Sequence, residues 1–149
     1  MGALNSVSGL LLVDTSVLVA LERGTVPPEA LAKAQPGARM AISTITVSEL
    51  LHGWHRARTP SQRHSRERFL TALFSQLEIL PFDLPVARTH ARVWAALAER
   101  GEMIGAHDLM IAATALAYQV PLVTLNDREF RKVNGLLVVP LRARHPPQT

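Results

Sequence analysis

Apolar residues fall into two kinds of run along this chain, and their alternation predicts its architecture. Gly9, Leu10, Leu11, Leu12 and Val13 form an unbroken apolar stretch that ends on Asp14. Such a run reads as a strand buried on both faces, the habit of parallel sheets. A helix is predicted over 17–23, stopping near Gly24. Pro27 and Pro28 interrupt the chain before a second helix, which reaches Gln35 and is ended by Pro36 and Gly37. Residues 40–43 predict a second strand. Val47, Leu50, Leu51 and Trp54 then recur at i, i+3, i+4 and i+7, the stripe of a helix over 46–54.

Thr59 and Pro60 mark a turn between helices, after which Phe69, Leu70, Leu73, Phe74 and Leu77 resume the stripe. A third strand is predicted at 78–81. A long helix follows over 85–100, with Val86, His90, Val93, Trp94 and Leu97 on one face and Gly101 as its stop. Residues 108–119 are apolar nearly all round, which predicts a central, buried helix. A fourth strand at 122–124, a helical turn at 126–132 and an edge strand at 136–139 ended by Pro140 complete the pattern. The tail 142–149 is expected to fray. No linker or repeat divides the chain, so it reads as one domain over 1–149. The class is α/β: three layers, α/β/α, around a mostly parallel sheet of about five strands.

Composition narrows the chemistry. The 149 residues are 48% hydrophobic but only 5% aromatic, so the core is aliphatic. There is no cysteine, which excludes disulfides and thiolate metal sites and suits a reducing cytoplasm. No leader or membrane span is expected: the run before Asp14 lacks a cationic flank, and the span 109–125 is broken by Gln119 and Pro121. Net charge is +4, and Lys33 and Lys132 are the only lysines among 16 cationic residues. The balance suits a polyanionic partner such as nucleic acid without requiring one.

Only 12 residues are acidic. Four of them, Asp14, Glu49, Asp108 and Asp127, fall where predicted strands give way to helices or within a helical turn of that point. Each has a local use as well. Thr46 with Glu49 and Asn126 with Glu129 have capping-box spacing, and Asp108 could cap the helix it opens. Yet Asp14 follows a wholly apolar strand and Asp108 opens a nearly all-apolar helix. Burying a carboxylate costs several kcal/mol, and like charges raise the cost further. A cation removes that cost. Oxygen ligands without cysteine or a paired histidine point to Mg²⁺ or Mn²⁺, with His107 beside the site or on the surface. A hard cation ringed by carboxylates suits phosphodiester hydrolysis. Asp14, Asp108 and Asp127 are the expected metal ligands, with Glu49 acting through water or on the nucleophile. Thr15 and Ser16 offer donors to a phosphate or a bound water, and Thr124 and Asn126 are expected to orient Asp127 or substrate.

The sequence resembles the PIN-domain family. Leu12–Val13–Asp14–Thr15–Ser16, Ser48–Glu49–Leu50, Ile104–Gly105–Ala106–His107–Asp108–Leu109–Met110–Ile111–Ala112–Ala113 and Leu122–Val123–Thr124–Leu125–Asn126–Asp127 with Phe130 look like its successive motifs, in order and across almost the whole chain. The likeness is greatest to VapC-type toxins of bacterial toxin–antitoxin pairs. It implies a Mg²⁺- or Mn²⁺-dependent endoribonuclease, a cytoplasmic homodimer, and inhibition by a VapB-like antitoxin whose C-terminal segment fills the acidic groove. Asp14, Glu49 and Asp108 match the family's acidic positions. For the fourth, Asp127 is preferred, with Asn126 nearby and Glu129 as the substitute.

Between His52 and Arg68 the chain is crowded with cations, opposed only by Glu67. Such a run usually faces water. Arg56, Arg58, Arg63 and Arg66 are also candidates to grip RNA backbone or the antitoxin. Trp54 and Trp94, on apolar stripes, are expected in the core or a dimer interface rather than as base-stacking platforms. Two aspartyl-phosphate readings fit poorly: a haloacid-dehalogenase site needs an Asp where Ser16 stands, and neither lysine ends an apolar strand as a receiver module requires. The remaining alternative is a degenerate PIN fold serving as a binding or scaffold subunit.

Overall fold

The computed structural model describes residues 9–143 of the chain. Five strands, β1 (Leu10–Val13), β2 (Arg39–Ser43), β3 (Glu78–Leu80), β4 (Leu122–Thr124) and β5 (Val138–Pro140), form one sheet in the order β3-β2-β1-β4-β5. Every pairing is parallel. The described helices are α1 (Thr15–Arg23), α2 (Pro28–Ala34), α3 (Thr44–His55), α4 (Pro60–Gln76), α5 (Leu84–Arg100), α6 (Ala106–Tyr118) and α7 (Asp127–Phe130). None is long and apolar enough to cross a membrane.

The apolar run at residues 10–13 becomes the central strand because both of its faces are covered. Leu10 and Leu12 pack into one core cluster with Val93 and Leu97 of α5 and Leu109, Ile111 and Ala112 of α6. Leu11 and Val13 pack into a second cluster with Val17 and Leu18 of α1, Leu31 of α2, Leu50 of α3 and Leu70 of α4. Alternate side chains of one strand thus feed opposite cores. The result is three layers.

Topology places the functional edge. The chain moves outward from β1 to β2 and β3, then returns over the sheet to lay β4 against the other side of β1. Strand order therefore reverses between β1 and β4. A crevice at the carboxyl ends of the strands on either side of such a reversal is where open α/β sheets bind ligands. Asp14 directly follows β1, and Thr124 is the last residue of β4.

Helices α1, α3 and α6 begin two residues before the apolar pattern predicts, since polar or small residues carry their first turns. The shift matters at α3. Its cap is Ser43, whose hydroxyl accepts the Thr46 N–H, so Glu49 lies beyond the first turn and is not part of a capping box. Asp108 lies inside the first turn of α6, with Gly105 at the cap position. Asn126 makes no side-chain cap bond either. The edge strand pairs over Val138–Pro140 rather than 136–139. Pro140 is tolerated because Leu137 and Leu141 supply the backbone bonds to β4 on either side of the strand.

The two tryptophans part ways. Trp94 is 53% exposed rather than in the core, because α5 turns it away from the sheet. Trp54 packs against the second cluster, with the Arg63 guanidinium 5.0 Å above its ring. Of the tail, residues 144–149 lie outside the described residues, and Arg142 is hydrogen-bonded to Asp127.

Candidate functional site

Asp14 is only 3% exposed. One of its oxygens, Oδ2, accepts the Ser16 hydroxyl at 2.6 Å and the Thr124 hydroxyl at 2.7 Å. Both donors are themselves fixed by the loop after β4. Ser16 Oγ accepts the Leu125 N–H at 3.2 Å, and Thr124 Oγ1 accepts the Asn126 N–H at 2.9 Å. Burial pushes the Asp14 carboxyl upward from its ordinary value against the pull of these hydroxyls, and the charge of Glu49 adds to the rise. Thr124, expected to orient Asp127 or substrate, holds Asp14.

Glu49 reaches the same edge from α3. Its Oε1 accepts the Thr15 hydroxyl at 2.8 Å, and its Oε2 stands 3.5 Å from His107 Nδ1. Behind it, the Thr15 and Thr46 hydroxyls are 3.0 Å apart and those of Ser43 and Thr46 are 3.1 Å apart. Thr46 is fully buried and had no assigned role in the sequence beyond capping. Its position one turn before Glu49 on the same helix face is the signal that could have placed it here.

Asp108 arrives on the first turn of α6. Burial pushes its carboxyl from 3.8 up to about 6, helped by the negative charges of Asp14, Glu49 and Glu129 and opposed by His107. The elements thus bring Asp14, Glu49 and Glu129 within electrostatic reach of Asp108.

Asp127 is placed otherwise. Its Oδ2 accepts from Arg131 Nε at 3.2 Å and its Oδ1 from Arg142 Nη1 at 2.8 Å. Arg142 first, then Arg131, holds this carboxyl below its ordinary value. The one-turn helix α7 is anchored by Phe130, which is fully buried. Burying such a ring stabilises by about 1.5–3 kcal/mol. That anchor seats the flanking acids differently: Asp127 meets the arginines, while Glu129 Oε1 stands 3.2 Å from Lys132 Nζ and its charge adds to the rise at Asp108.

Among the described residues, no three His, Asp or Glu side chains are placed to hold a metal ion between them. The donor set nonetheless fits a hard divalent cation. It is all oxygen, and two of its members are pushed toward protonation by burial and by neighbouring carboxylates, a penalty that a cation reverses.

Residues 11–136 match the PIN domain. The chain belongs to the PIN domain family, and its relatives within it carry the VapC name. It is 36% identical over 134 residues to Ribonuclease VapC of Rickettsia bellii, covering 89% of this chain and 98% of that protein. It is also 36% identical to Ribonuclease VapC5 of Mycobacterium tuberculosis, covering 83% and 87%. Among solved structures, the toxin–antitoxin complex VapBC2 from Rickettsia felis, bound to a promoter DNA fragment, matches with a TM-score of 0.78 at 26% identity. That match covers 89% of this chain and 98% of the solved one.

Proposed function

We propose that this chain is an endoribonuclease that hydrolyses RNA phosphodiester bonds with Mg²⁺ or Mn²⁺. It acts as the cytoplasmic toxin of a VapBC-type pair, held in check by a VapB-like antitoxin. The observation that carries the reading is the cluster of Asp14, Glu49 and Asp108 at the strand-order reversal, with two of the three carboxyls pushed upward. The names of the relatives, ribonucleases among them, support the substrate class.

Asp14 and Asp108 would hold the ion. For the fourth acid we assign Glu129 ahead of Asp127, because Glu129's charge reaches Asp108 even with Lys132 paired to it, while Asp127 is engaged by two arginines and adds nothing at Asp108. When bound, such an ion polarises the scissile phosphate, acidifies a water and stabilises the leaving oxygen. The chain's own groups do the rest. Ser16 and Thr124 hold Asp14 in one rotamer, and Thr15 does the same for Glu49. Glu49 Oε2, beside His107 Nδ1, is the acceptor for the proton of the attacking water. Assembly into a homodimer belongs to the same reading.

The test is cleavage of end-labelled cellular RNA by the purified chain with Mg²⁺, with Mn²⁺ and with chelator, alongside melting curves. Metal should permit cleavage and raise the melting temperature, as preferential binding to the folded state requires. Cleavage that persists in chelator, or in both Asp14→Asn and Asp108→Asn, overturns the assignment.

A further inference from the structure

The four arginines of the α3–α4 segment have different surroundings. Arg66 is engaged within the fold: its Nη1 donates to the Gly53 carbonyl, and its Nε stands 3.8 Å from Glu22 Oε1. Arg63 lies over the Trp54 indole. Arg56 and Arg58 are exposed, and among the described residues neither guanidinium meets a carboxylate. Their backbone is nevertheless fixed. The Arg56 N–H donates to the His52 carbonyl at the end of α3, and the Arg58 N–H donates to Gln62 Oε1 at 3.2 Å.

Both line a cleft of about 430 Å³ that opens beside Thr15 and Glu49 and runs between α1, α3 and α4 past Gln62. Its volume is within the range of ligand-binding clefts. Among the described residues, Glu22 is the only acid lining it besides Glu49, and Arg66 already faces Glu22. Arg23, Arg56 and Arg58 therefore leave the end away from the acid cluster positive. A polyanionic strand with one phosphate at the acid cluster would lay its neighbouring phosphates along that end. Positively charged grooves of this kind track single-stranded backbone.

Resting on the nuclease reading above, we propose that this cleft is a flanking-phosphate subsite for single-stranded RNA. Arg56 and Arg58 contact the backbone beside the reacting phosphate, and Arg63 and Arg66 hold the two helices that present them. The four basic residues are thus divided into two that touch RNA and two that do not.

The test measures binding of a mixed-sequence 20-nucleotide single-stranded RNA without turnover, in the Asp14→Asn background, across a salt series. Removing one cation that pairs with a phosphate lowers the slope of log affinity against log salt by about 0.7 for single strands. Arg56→Gln with Arg58→Gln should lower it by about 1.4 and weaken binding roughly tenfold at low salt. The pair Lys33→Gln with Arg88→Gln removes the same charge from other helices and should leave the slope unchanged. An unchanged slope in the cleft pair, or equal losses in both pairs, overturns the subsite. So does unchanged RNA binding accompanied by lost binding of a polyglutamate peptide, which would make the cleft a protein-docking surface. The readout is independent of cleavage. Metal-dependent cleavage with an unchanged slope sinks the subsite alone, and a lowered slope with no metal-dependent cleavage sinks the nuclease reading alone.

Discussion

Thr124 donates its hydroxyl to Asp14 Oδ2 at 2.7 Å across 110 positions of sequence, from the end of β4 to the end of β1. The bond spans the place where strand order reverses. It joins the two strands whose carboxyl ends form the crevice, and it fixes the most buried acid of the site. Its geometry carries the first prediction. Thr124→Val keeps the side-chain shape but removes the donor to Asp14 and the acceptor for the Asn126 N–H. Stability should fall by about 1–2 kcal/mol, read from chemical denaturation. Cleavage should fall by roughly 10–100-fold, the usual loss when a partner that orients a metal ligand is removed. Thr124→Ser, which keeps the hydroxyl, should retain most of both.

Asp108→Asn removes a carboxylate that its neighbours repel. Without metal, the variant should be more stable than the parent at neutral pH, by about 1 kcal/mol once solvent screening of a half-buried group is allowed for. It should also lose cleavage and the metal-induced rise in melting temperature. A variant less stable than the parent at neutral pH, with metal absent, would show that the repulsion is not felt.

The same carboxyl sets a pH dependence. Its value rises from 3.8 to about 6 on folding, so between those values the folded state holds the extra proton. Metal-free stability should therefore fall as pH rises through that window, relative to Asp108→Asn, and level off above it. Metal binding needs the deprotonated form and should strengthen over the same range. Melting curves at a series of pH values, with and without Mg²⁺, read both trends. A flat difference between parent and variant would refute the shift.

Glu129 and Asp127 are separable by paired substitutions. Glu129→Gln should weaken the metal-induced rise in melting temperature and lower cleavage, because it removes a charge that reaches Asp108. Asp127→Asn should leave both nearly unchanged, its ion pairs with Arg131 and Arg142 lying at the surface. The reverse ranking would return the fourth acidic position to Asp127.

Arg66→Ala removes the donor to the Gly53 carbonyl and the ion pair with Glu22. Stability should drop by about 1–2 kcal/mol, with Arg66→Lys recovering only part because its ammonium lacks the guanidinium fork.

The central strand and the helical stripes were legible in the sequence by itself, because each is written over a few neighbouring residues; of the four acids singled out there, Asp14, Glu49 and Asp108 come to one edge of the sheet while Asp127 meets two arginines. A run of Leu and Val ending on a carboxylate needs no knowledge of the rest of the chain to read as a buried strand delivering Asp14. Helix starts were less legible. The first turns of α1, α3 and α6 carry polar or small residues that no apolar pattern marks. What only the tertiary structure decided is the partner of each polar group. Thr124 serves Asp14 rather than Asp127, Arg142 engages Asp127, Lys132 engages Glu129, and Arg66 turns inward while Arg56 and Arg58 stay exposed. Hydrogen bonds and charges act over a few ångströms of space, and residues 110 positions apart come that close only once the sheet order places β4 beside β1.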